Sequence, residues 1–62
     1  MINHITKNTT GNKVNYSVYY ENGRVFRYDE NSNLPLKVIE ILINGTNYDT
    51  TYTEYGKIER FR

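Results

Sequence analysis

Between Val14 and Glu30, apolar and polar residues alternate in two runs separated by Asn22-Gly23. A period of two marks strands with one buried face, and Asn-Gly between such runs marks a hairpin. The length of the turn sets which side chains share a face. A two-residue turn at Asn22-Gly23 pairs Val18 with Arg27 and Tyr16 with Asp29, which mixes charge into the apolar row. A three-residue loop, Glu21-Asn22-Gly23 with Gly23 in the left-handed bulge position, pairs Val18 with Phe26 and Tyr16 with Tyr28. One face then carries Val14, Tyr16, Val18, Phe26 and Tyr28; the other carries Asn15, Ser17, Tyr19, Val25, Arg27 and Asp29. This separation selects the longer loop.

The period changes after Asn31. Asn31-Ser32-Asn33 offers N-cap oxygens, Pro35 suits a first helical turn, and Asn44-Gly45 offers a left-handed stop. Lys37, Glu40 and Asn44 recur at spacings of three and four and form one narrow polar stripe. Leu36, Ile39 and Ile43 lie to one side of it, and Leu34, Val38, Ile41 and Leu42 lie to the other. A helix resting on one sheet needs an apolar stripe of somewhat over 100°. This helix is apolar around most of its circumference, so it has more apolar surface than one sheet uses.

From Tyr48 to Arg62 the chain reads as a second hairpin. Glu54-Tyr55-Gly56 repeats the three-residue loop pattern, and that loop sets Tyr52 opposite Ile58. Residues 1–12 alternate imperfectly and end in the turn-rich Asn8 to Asn12, so they form either an edge strand against Val14 to Tyr20 or a loose arm. The expected fold is a single α+β domain over 1–62, in the order (β)ββαββ. Four or five antiparallel strands carry one helix across one face.

Composition narrows the chemistry. No Cys is present and His4 is the only histidine, which leaves no thiolate nucleophile, disulfide framework or Cys/His zinc site. The formal charge of +1 indicates neither an acidic nucleic-acid mimic nor a strongly basic duplex binder. No apolar run approaches the roughly 18 residues of a membrane span, and Met1 to Lys13 lacks a signal-peptide pattern. Three Asn-x-Ser/Thr sequons therefore carry no weight, and the expected setting is the cytoplasm. Asn, Ile, Tyr and Lys are abundant while Ala is absent, the bias of an A/T-rich genome such as that of a low-GC bacterium or its phage.

Asp29, Asn31, Asn33 and Glu40 fit four positions of a calcium-loop spacing. Leu34 stands where that loop needs Gly, so these residues read as turn formers and no metal is expected. Neither serine has a nucleophile context, the glycines occur singly, and no acid–base pair is placed on one face. No enzymatic activity and no cofactor are expected.

Seven Tyr and two Phe are the informative feature. Tyr16 and Tyr28 serve the sheet face, but Tyr19 and Tyr20 are neighbours in one strand and point to opposite faces. One of them faces outward, near Arg24 or Arg27. Exposed Tyr beside Arg is the composition of protein-interface hot spots, and also of single-strand nucleic-acid platforms. Lys57 and Arg60 add cations near the C-terminus. Tyr19, Tyr20, Arg24, Arg27, Lys57 and Arg60 are therefore the candidate binding residues. Leu36, Ile39 and Ile43 are the candidate contact of a homodimer. The leading expectation is a non-enzymatic protein-binding module, such as a phage-encoded inhibitor or regulator of a host enzyme. The alternative is a nucleic-acid-binding sheet that uses Tyr stacking and Lys/Arg phosphate contacts.

Overall fold

The computed structural model describes residues 1–62. Five strands and one helix follow in the order β1 (Ile2–Thr10), β2 (Lys13–Tyr20), β3 (Val25–Asp29), α1 (Leu36–Asn44), β4 (Asn47–Tyr52) and β5 (Gly56–Phe61). The strands make one antiparallel sheet in the order β3-β2-β1-β5-β4, and α1 crosses one face of it. This is the expected α+β arrangement, with all five strands formed. No helix is long and apolar enough to cross a membrane.

The first hairpin has the register that facial segregation demands: Val18 faces Phe26 and Tyr16 faces Tyr28. Gly23 has φ 90°, a conformation that costs an L side chain energy, and its N–H donates to the Tyr20 carbonyl at 3.0 Å.

Residues 1–12 are neither an arm nor an edge. They supply β1, the central strand, paired with β2 on one side and β5 on the other. A two-residue turn at Gly11-Asn12, with Gly11 at φ 59°, folds β1 directly onto β2. The Glu21 N–H donates to the Met1 carbonyl at 3.0 Å and ties down the start of the chain.

The second hairpin differs from its expected register by one residue. Thr51 faces Ile58 and Tyr52 faces Lys57. The Thr53 hydroxyl accepts the N–H groups of Tyr55 (3.3 Å) and Gly56 (3.0 Å), and the Thr53 N–H donates to the Gly56 carbonyl at 2.8 Å. These bonds close a two-residue loop at Glu54-Tyr55 and leave Gly56 as the first residue of β5. A Cβ at Gly56 would strike the Thr9 carbonyl of β1. The shift also brings Phe61, paired with Ile5, onto the helix-bearing face.

The helix ends depart from expectation too. Pro35 is the N-cap residue and no side chain caps the first turn. Asp29 and Ser32 are occupied with each other: the Ser32 hydroxyl donates to Asp29 Oδ1 at 3.0 Å, and the Asn31 N–H donates to the same oxygen at 2.9 Å. Gly45 ends the helix in an extended conformation, not a left-handed one. It is needed for close approach, because a Cβ there would meet the carbonyls of Ile41 and Arg62.

The core is small. Ile5 of β1, Val18 of β2 and Val38 of α1 are fully buried, and Ile2, Tyr20, Tyr28, Leu34, Ile41 and Leu42 pack around them. Burying such aliphatic side chains contributes about 1.5–3 kcal/mol each.

Candidate binding surfaces

Two surfaces remain outside this core, one on each side of the sheet. The first is the outer flank of α1. Val38 is 0% exposed, whereas Leu36 is 70%, Ile39 37% and Ile43 74% exposed. Their spacing of three and four residues places them in a continuous ridge along the helix. An open groove runs beside its start, between Pro35-Leu36, Ile41, Tyr20 and Met1-Ile2. Lys37 and Glu40 border this groove, so the apolar floor has one cation and one anion at its rim.

The second surface is the face of the sheet away from α1. The pairing registers arrange it in rows across the strands. One row holds Val25, Tyr19 and His4; the next holds Arg27, Ser17, Thr6, Arg60 and Asp49; the third holds Asp29, Asn15, Asn8, Ile58 and Thr51. His4 and Tyr19 are cross-strand partners whose rings stack at 4.4 Å between centroids, 12° from parallel. The His4 Nδ1 lies 2.8 Å from the Asn3 side-chain oxygen. Partial burial, followed by the charges of Arg60 and Arg62, holds the His4 imidazole below the ordinary histidine range. The charges of two guanidiniums therefore act on the imidazole of the stacked pair.

The six residues expected to bind do not share one surface. Tyr19, Arg27 and Arg60 lie on the open face. Tyr20 turns to the helix side, where it meets Phe26 edge-on at 5.4 Å. Lys57 is on that side as well, 3.6 Å from Glu59 in the only ion pair of the protein. Arg24 stands in the β2–β3 turn, its N–H donating to the Asn22 side-chain oxygen at 3.0 Å. Leu36, Ile39 and Ile43 do lie together, on the exposed helix flank.

Sequence reasoning passed over His4, which reads as a solvated side chain in a terminal segment. The signal was the Gly11-Asn12 turn. A two-residue connection there aligns position 4 with position 19 and sets the imidazole against the Tyr ring. Comparison with protein-family models, with curated proteins and with solved structures finds no match to this chain.

Proposed function

We propose that this protein is a non-enzymatic protein-binding module, working in the cytoplasm as a homodimer that inhibits or regulates a host enzyme. A small α+β chain from an A/T-rich phage genome is one source of such a module. The single observation that carries the reading is the split helix. One flank buries Val38 completely, while the opposite flank leaves Leu36 and Ile43 about three-quarters exposed. A nine-residue helix gains little from an exposed Leu–Ile ridge unless another surface covers it. Interfaces place such apolar ridges at their centre and charge at the rim, the arrangement of Lys37 and Glu40 here.

A second copy is the partner that needs no further assumption, because a two-fold axis across the helix would set Leu36 near Ile43 of its mate. Light scattering at millimolar concentration is expected to report twice the 7.4 kDa chain mass. Leu36→Asp or Ile43→Asp should return the monomer with an unchanged circular dichroism melt. A wild-type protein that stays monomeric, with the Leu36→Asp variant binding the same host enzyme equally well, would remove this reading.

A further inference from the structure

The open face of the sheet presents a different chemistry from the helix ridge, and nothing in the chain folds over it. We propose that this face binds single-stranded nucleic acid, with a base stacked against the His4–Tyr19 pair and backbone phosphates held by Arg27 and Arg60. The site is independent of the helix contact and stands or falls separately.

Three observations carry the assignment. The His4 and Tyr19 rings already stack on each other across β1 and β2, so the pair extends along the strand-to-strand direction and a further planar ring can continue it. Base–aromatic stacking is the sequence-tolerant part of single-strand recognition.

Next to this row lies the row Arg27-Ser17-Thr6-Arg60, in which two hydroxyl side chains separate two guanidiniums. The arginines stand on β3 and β5, three strand-to-strand steps or roughly 14 Å apart. Neither makes an ion pair, since the only one in the protein joins Lys57 and Glu59 on the other side of the sheet. The charges of Arg60 and Arg62 also reach His4, so cationic and aromatic groups form one patch rather than two.

The carboxylates of this face sit at its margins. Asp29 on the edge strand β3 accepts bonds from Asn31 and Ser32, and Asp49, on the opposite edge strand β4, is the cross-strand partner of Arg60 without forming an ion pair with it. They bound the patch at its two edges, and the Arg27-Ser17-Thr6-Arg60 stretch between them carries no carboxylate. The patch lies on the face of a five-stranded sheet, not on a projecting helix or two-stranded ribbon of the kind that enters a duplex groove, and a net charge of +1 supplies little non-specific duplex affinity. Unpaired bases are what the surface suits.

The test is fluorescence anisotropy with labelled oligo(U) and oligo(dT) of about 12 nucleotides, within the usual site-size range, and with a duplex of the same length. Single strands should bind more tightly than the duplex, and the RNA and DNA arms decide which sugar is preferred. The slope of log affinity against log salt should be about −1.4 for two phosphates, and Arg27→Ala or Arg60→Ala should each reduce it by about 0.7. Tyr19→Ala should weaken binding roughly 5- to 100-fold, with Tyr19→Phe close to wild type.

Tyr52→Thr, an exposed position of β4 on the far side of the sheet, should leave the titration unchanged. Absence of binding at low salt would overturn the proposal. So would Tyr19→Ala binding as wild type, or displacement by an acidic peptide of equal charge as effective as by the oligonucleotide. Both arginines are exposed, so their variants remain informative even if Tyr19→Ala loosens the fold.

Discussion

The helix-bearing side of the sheet has two halves built on different terms. Under the helix, on β1, β2 and β3, it is apolar: Ile5 and Val18 lie under Val38, and Tyr20, Phe26 and Tyr28 close the margin. Beyond Phe61, which continues the apolar row beside Ile5, the helix-bearing side of β4 and β5 is mostly polar. There the Asn47 amide donates to Thr50 Oγ1 at 3.0 Å and to Glu59 Oε2 at 3.2 Å, and Glu59 pairs with Lys57. The helix explains the difference. Nine residues make a rod of about 13 Å, while five strands span roughly 19 Å. A single short helix cannot roof the whole sheet, and the unroofed half carries side chains that bond to one another. A chain of this size can thus maintain five strands with three fully buried residues, because backbone pairing continues where the core stops.

The contrast makes quantitative demands. Ile5→Ala in the roofed half should cost about 2–5 kcal/mol, comparable with the whole stability expected of so small a domain. Circular dichroism should show that variant largely unfolded at room temperature. Glu59→Ala in the unroofed half should cost about 1 kcal/mol by urea titration, since the partners it leaves, Asn47 and Lys57, stay accessible to water. Equal losses at the two sites would contradict the division.

The junction between the halves is the β1–β5 pairing, and Gly56 tests it. A methyl group there meets the Thr9 backbone, which cannot rotate away as a side chain can, so Gly56→Ala should cost about 3 kcal/mol. Gly23→Ala, with φ 90° but open space around the Cα, should cost only about 1–2 kcal/mol. A reversal of that order would mean that the second hairpin has a different register.

The smallest effect concerns His4, on the face opposite both halves. Its pKa is lowered in the folded chain by partial burial and then by Arg60 and Arg62, so the unfolded chain takes up its proton first. The contribution is fully present above the ordinary value of 6.5 and is lost as pH falls from there through the folded pKa. The melting temperature should drop over that window, and His4→Gln should flatten the drop. Arg60→Ala should move the His4 ring-proton titration upward in NMR spectra.

The two hairpins show how far local pattern reading reaches. Around Asn22-Gly23, charge and apolarity separate cleanly in only one register, and the structure has that register. Around Glu54-Tyr55-Gly56 the same loop spelling misleads. The Thr53 hydroxyl tightens the turn, and Gly56 serves an approach to a strand more than forty residues earlier in the chain. A glycine required by a distant backbone is indistinguishable, in the sequence, from one required by its own φ. Of the candidate binding residues, Tyr19, Arg27 and Arg60 converge, because their faces follow from strand alternation and the long-range pairing joins them. Tyr20 and Lys57 fall on the other side by the same alternation.

Alternation, turn residues and helical spacing, all local quantities, determined the class of fold, the first hairpin and the division of the helix into two flanks. The tertiary structure alone decided that the first strand is central and which helix flank is buried. Each of these depends on pairing between segments far apart in the chain, where the winning arrangement is the one that satisfies all five strands and the single helix together.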